Sequence, residues 1–191
     1  LLTNSGFADV DGDGITGIAI TADASNPVTE GKWQYSNDLE VKYWHDIGTV
    51  STTAALLLPA TNGGTTTYLR FVPVANFNGT PGGLTVHACS SNSISYTTWD
   101  GANEDRQTFN TTTDDATSPV SAAGVTWNTS VTAIADTPSV TDANTTPSTQ
   151  TTSGLVLSRA AVDGTEVTHF KITGITNGNL FQSNGTTAIS N

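Results

Sequence analysis

The chain has 191 residues, enough for one large domain or for one domain and part of another. Seventeen acidic residues against six basic ones give a net charge of −11, which argues against nucleic acid or an anionic membrane surface as partner. Only 12% of residues are charged and most of the remaining polar surface is Thr, Ser, Asn and Gly, but four Trp and strand-like runs such as 68–74 argue against disorder.

The first element is an acidic turn, Gly6-Phe-Ala-Asp9-Val-Asp11-Gly-Asp13-Gly14. Three carboxylates this close repel one another unless something neutralises them, and alternating Asp residues supply the oxygen ligands that Ca²⁺ wants. An EF-hand would need Glu at the twelfth loop position. Counting from Asp9 that position is Ile20, inside an apolar, strand-like run, so this is a metal-binding turn of another kind. The alternative is a solvated turn that binds nothing. Strands are predicted at 15–21, 32–36, 41–45, 55–58, 67–74, 84–88, 125–134, 154–157, 166–175 and 180–182, separated by Gly, Asn and Asp turns. No window keeps a 3.6-residue period, so the chain is expected to be all-β, most simply a sandwich. Cys89 is the one cysteine, which excludes an internal disulfide and points to calcium as the staple. The first residues lack a basic n-region and an apolar h-region, and the apolar run 54–58 is too short to span a bilayer. No membrane insertion is expected, and the chain reads as a piece of something longer.

Between the strand at 84–88 and the one at 125–134 lies an acid-rich loop. Asp100, Asn103, Glu104, Asp105 and Arg106 fall within seven residues, flanked by Tyr96, Trp99 and Phe109. Asp100, Glu104 and Asp105 are candidate metal ligands. A cation held there with an open shell could take a ligand oxygen, from a peptide carboxylate or from sugar hydroxyls. Arg106 could pair with a carboxylate, and Tyr96 and Trp99 supply contact area, with Asn103 as a polar contact. The alternative is a solvated loop with Trp99 and Phe109 in the core. A second aromatic cluster, Tyr43-Trp44-His45-Asp46, has no nucleophile in a recognisable setting; neither Gly-x-Ser-x-Gly nor His-Glu-x-x-His occurs, and no enzymatic activity is expected. The run 125–134 ends at Ala135-Asp136-Thr137-Pro138, where Pro138 stops a ladder and Asp136 could hold a bridging metal. Asp163 and Glu166 could add ligands there, or form a plain turn.

Several of these stretches together resemble a known family. They are Phe7-Ala-Asp-Val-Asp-Gly-Asp-Gly14, Gly17-Ile-Ala-Ile-Thr21, Gly31-Lys-Trp-Gln-Tyr-Ser36, Leu69-Arg-Phe-Val-Pro-Val-Ala-Asn-Phe-Asn-Gly-Thr80, Leu84-Thr-Val86, and the opening of a further repeat at 166–181. They are similar to the cadherin-like, Ig-like repeats of the giant calcium-loaded RTX adhesins that bacteria export by type I secretion. Ser130-Val-Thr-Ala-Ile-Ala-Asp136-Thr-Pro138 resembles the end of such a repeat, with Ala135 where Asn is common. The resemblance covers roughly 1–100 and 125–191. It implies a cadherin-like sandwich at 1–136 carrying a ligand-binding insertion at about 90–124. A partial second repeat at 137–191 would pack on the first or complete it. It also implies several Ca²⁺ ions, an extracellular place on the bacterial surface, and a monomer flanked by neighbouring repeats of the same adhesin. A complete repeat joined to a partial one is similar to the calcium-dependent peptide-binding domain of these adhesins, which captures the free C-terminus of a surface protein. Two other readings stay open: an extender repeat that binds Ca²⁺ for rigidity only, and a Ca²⁺-dependent carbohydrate-binding module.

Overall fold

Short β-branched and apolar runs parted by turn residues favour strands, and the computed structural model of the chain is all-β. It describes residues 14–38, 43–90, 94–112, 118–151 and 153–190. Among these there is no α-helix, and a 3₁₀ turn at Ala161–Asp163 is the one helical element. The chain divides into two units, Leu1–Thr132 and Ala133–Asn191.

The first unit contains β1 (Gly17–Asp23), β2 (Gly31–Ser36), β3 (His45–Asp46), β4 (Ala55–Pro59), β5 (Thr61–Asn62) and β6 (Thr65–Thr66). It continues with β7 (Tyr68–Pro73), β8 (Leu84–Cys89), β9 (Thr98–Trp99), β10 (Glu104–Asp105), β11 (Thr108–Phe109) and β12 (Val125–Trp127). Five strands form an antiparallel sheet in the order β11-β4-β1-β8-β12, and three form a smaller one, β3-β2-β7. Strand alternation sorts the side chains between faces. Ile18, Ile20, Leu56, Leu58, Leu84 and Val86 of the larger sheet meet Trp33 and Tyr35 of β2, with Leu69 and Phe71 of β7 packed beside them. Two sheets face to face over one apolar layer make a sandwich. In such a layer each leucine truncated to alanine costs about 2–5 kcal/mol.

The other face of the larger sheet is also covered. Ala19, Ala55, Leu57, Cys89 and Val120 form a second buried cluster against Ile94, Tyr96 and Phe109. β4 is therefore buried throughout, which is why 54–58 reads as an unbroken apolar run instead of an alternating one. The chain leaves β1 for the smaller sheet through a turn built by Asn26. Its side-chain oxygen accepts from the backbone N–H of Val28 (2.9 Å) and Thr29 (3.2 Å), and the Glu30 carboxylate accepts from Asn26 N–H (2.7 Å). Gly31 closes this turn at φ 140°, and a Cβ there would lie 2.2 Å from the Val72 carbonyl oxygen.

Two expected strands are shorter than predicted. The ladder of the run 125–134 with β8 ends at Trp127, because β8 begins at Leu84 opposite it, and beyond that Val131 makes a single bridge to Gly79. At 166–175 no ladder forms among the described residues. In the second unit β13 (Ser139–Thr141) pairs with β14 (Val156–Ser158), and β15 (Leu180–Phe181) with β16 (Ala188–Ile189), as separate two-stranded pieces. Val140, Val156, Phe170, Ile172, Leu180 and Ile189 line an open groove of about 1210 Å³ within this unit. Among its described residues only Asp163 is buried, at 1% exposure.

Candidate functional site

The acid-rich loop folds as a hairpin. β9 and β10 pair with Trp99 opposite Glu104 and Thr98 opposite Asp105. Asp100 makes the turn: one carboxylate oxygen accepts from the backbone N–H of Ala102 (2.8 Å) and Asn103 (2.7 Å). This is the usual way an aspartate closes a tight loop. These same bonds hold the Asp100 carboxyl below its ordinary range. Asp105 is exposed and accepts from Gln107 Nε2 at 2.7 Å.

The opposite side of the hairpin faces the smaller sheet. The Tyr35 hydroxyl donates to Glu104, Arg106 pairs with Glu104 at 3.5 Å, and Arg106 Nη2 donates to the Ile47 carbonyl. Trp99 packs against Tyr43 and His45, with ring centroids 5.1 and 4.7 Å away, and His45 lies 5.4 Å from Tyr35. Trp99 of one aromatic cluster of the sequence thus meets Tyr43 and His45 of the other. Burial pushes the His45 imidazole below its ordinary range, against the pull of the Asp38 carboxylate. Around the end of β2 lie Ser36, Asn37, Asp38, Thr67 and Thr97, all buried. Asn37 Nδ2 donates to the Thr97 carbonyl at 2.6 Å, and the Asp38 carboxylate accepts from Tyr43 N–H at 2.7 Å. Among the described residues the Ser36 and Thr67 hydroxyls, Asn37 Oδ1, His45 Nε2 and Trp99 Nε1 are buried without a hydrogen-bond partner. Polar residues at the end of a strand look like the start of a turn, so the sequence gives no sign that Asn37 and Asp38 are buried.

The other candidate residues are dispersed. Tyr96 belongs to the cover over the larger sheet, not to the Trp99 cluster; its hydroxyl lies 2.6 Å from Thr16 Oγ1, and burial pushes it up to about 12. Burial likewise pushes the Cys89 thiol up to about 12, so it stays protonated and unreactive. Asn103 sits exposed in the hairpin turn. In the second unit the backbone N–H of Asp136 donates to Asp163 Oδ1 at 2.8 Å, and Glu166 N–H donates to the Asp163 carbonyl at 3.2 Å. Asp163 Oδ2 is buried without a partner. Asp9, Asp11 and Asp13 lie outside the described residues. Among the described residues no three His, Cys, Asp or Glu side chains are grouped to hold a metal. No protein-family model matches the chain, and no curated protein or solved structure does either.

Proposed function

We propose that the chain is a non-enzymatic, Ca²⁺-dependent ligand-binding module of a giant bacterial surface adhesin, and that its ligand is the C-terminus of a peptide on a host or partner cell. The observation that carries this reading is the β9–β10 hairpin. It sets the Asp100 and Asp105 carboxylates in solvent, while the paired rings of Trp99 and Tyr43 seat the other side of the hairpin on the smaller sheet. Exposed acids on a hairpin seated in this way can share a cation with a ligand carboxylate. Arg106 and Glu104 are engaged with each other, Ile47 and Tyr35, so their part is to seat the hairpin. In this reading the sandwich is a cadherin-like, Ig-like repeat, exported by type I secretion and held among neighbouring repeats at the cell surface.

Calcium fits Asp163 better than it fits the other acids among the described residues. A buried carboxylate oxygen with no donor is costly, and Asp163 Oδ2 is such an atom, with Asp136 and Glu166 in the same segment. Asp163 would give a ligand to one ion, Asp9, Asp11 and Asp13 would hold another, and Asp100 with Asp105 would share a third with the ligand. Bound calcium would offset the repulsion among the acids and offer a seat to a ligand oxygen. A second reading, the rigid spacer, is favoured by the packing of Ile94, Tyr96, Phe109 and Val120 as a cover over the larger sheet.

The test is titration with peptides bearing free or amidated C-termini, in calcium and in EDTA, alongside thermal melts. Free peptide binds in calcium, while the amide, the chelator and the pair Asp100→Ala with Asp105→Ala each abolish binding. The melting temperature falls on chelation, since an ion that binds only the folded state stabilises it by mass action. Equal binding of free and amidated peptides ends the peptide reading. A chelator-sensitive melt with no ligand bound leaves the spacer, and saccharide binding only in calcium leaves the carbohydrate module.

A further inference from the structure

We propose that the outward face of the smaller sheet is a second ligand surface, which takes a saccharide bearing an isolated carboxylate and works without calcium. Trp33 and Tyr35 point into the core, so their neighbours Lys32 and Gln34 point outward. Tyr68, Arg70 and Val72 of β7 and Asp46 of β3 share that face through the register Gln34↔Arg70 and Gln34↔Asp46. The polar groups form one chain of contacts. Lys32 Nζ donates to Asp46 Oδ2 at 2.8 Å, and Gln34 Nε2 donates to Asp46 Oδ1 at 2.7 Å. Gln34 Oε1 then accepts from both Nε (2.9 Å) and Nη2 (2.7 Å) of Arg70. Arg70 Cζ lies 4.0 Å from the centroid of the Trp44 ring. The guanidinium is therefore held flat, by an amide on one edge and an indole beneath.

Its charge is what remains unanswered. Lys32 neutralises Asp46, but among the described residues Arg70 has no carboxylate within ion-pair distance. An arginine held rigid and left without a carboxylate among the described residues is a pre-formed seat for an anion. Gln34 occupies the Nε–Nη2 edge, and the Nη1–Nη2 end that remains matches a carboxylate. A polyanion is disfavoured by the net charge of −11, which leaves a ligand with one carboxylate among neutral groups.

The occupant is a sugar chain and not a peptide strand, because the groups on offer are side chains standing on the face around β2, which is paired on both sides, while the backbone edges of the sheet lie away from them on β3 and β7. Recognition falls to side chains: the Gln34 amide, the Asp46 carboxylate, the Lys32 ammonium, and the rings of Trp44 and Tyr68. Tyr68 is 46% exposed. Fixed polar groups between aromatic rings suit ring hydroxyls and the apolar faces of sugars. At the Lys32 end a cleft of about 410 Å³, lined by Asp23, Ser25, Lys32, Asp46 and Thr49 among others, continues the surface.

The experiment is isothermal titration of the whole chain in EDTA. The probes are 3′-sialyllactose and a neutral oligosaccharide ending in one glucuronate, each beside its methyl ester. At least one acid probe binds, and its ester binds about tenfold or more weakly, because esterification removes the charge and one bidentate partner. Arg70→Gln erases the difference between acid and ester, and Trp44→Ala weakens both. Arg70 is exposed, so Arg70→Gln melts like the parent and separates loss of binding from loss of fold. The proposal is overturned if neither acid binds in EDTA, if acid and ester bind alike, or if Arg70→Gln keeps the discrimination. It is overturned too if an acidic peptide is the only ligand that depends on Arg70. Asp100→Ala with Asp105→Ala leaves this surface intact, so failure of the calcium-dependent reading and failure of this one are told apart.

Discussion

His45 shows how one buried ring ties stability to pH. Its imidazole is wedged between Tyr35 and Trp99, and burial lowers its proton affinity in the folded state. The unfolded chain binds that proton more readily, near the ordinary value of 6.5. Stability from this residue is therefore complete above pH 6.5 and declines as pH falls below it, through the lowered folded value. Thermal melts between about pH 7.5 and pH 5 should show a decline that His45→Gln makes shallower. Parallel pH profiles for the two proteins would mean that the ring titrates alike folded and unfolded.

Among the elements, β1 and its cover are in close contact. Gly17 faces outward beneath Tyr96, and a Cβ there would stand 2.4 Å from Tyr96 Cε1 and 2.5 Å from the Leu58 carbonyl oxygen. Gly17→Ala must lift the cover or bend β1, at a cost of about 1–3 kcal/mol. Chemical denaturation checks this, and an unchanged midpoint would show that the cover yields freely. The long strands were legible because their apolar runs have strand length and turn residues at each end: β1, β2, β4, β7 and β8 all lie within two or three residues of their predicted bounds. The two-residue strands β9, β10 and β11 were not. β11 exists because Thr108 and Phe109 meet Leu56 and Ala55, a pairing set by distant sequence. The chemistry of the candidate site was half legible in the same sense. Trp99, Asp100, Glu104 and Arg106 stand out locally, but that Tyr35, Tyr43 and His45 meet them is decided by the packing of two sheets.

At the scale of the molecule, the two units differ in what protects them. The first has two apolar layers whose members are nearly all fully buried. The second exposes Ile134, Val140, Leu155, Val156, Val162 and Phe170, each at 40% or more, and its pairs are two-stranded. Isolated two-stranded pairs are marginal in water. Amide exchange should therefore be fast through 133–190 and slow at Ile18–Ile20, Leu56–Leu58 and Leu84–Val86. Equal protection in both regions would mean that the second unit holds an apolar layer of its own.

The cover over the larger sheet has a further consequence, which concerns aggregation. β4 is a fully buried, uncharged run, Ala55-Leu-Leu-Leu-Pro59. Uncharged apolar segments of this kind are templates for stacking between chains once released. Nature commonly guards them with flanking charges, yet no Lys, Arg, Asp or Glu occurs between Asp46 and Arg70. The guard here is topological. The hairpin-bearing segment lies over the outer face of the strand, and β11 occupies its edge. Residues of the proposed ligand-binding insertion thus also cover β4, and shortening the insertion to simplify the site should expose an apolar edge to other chains.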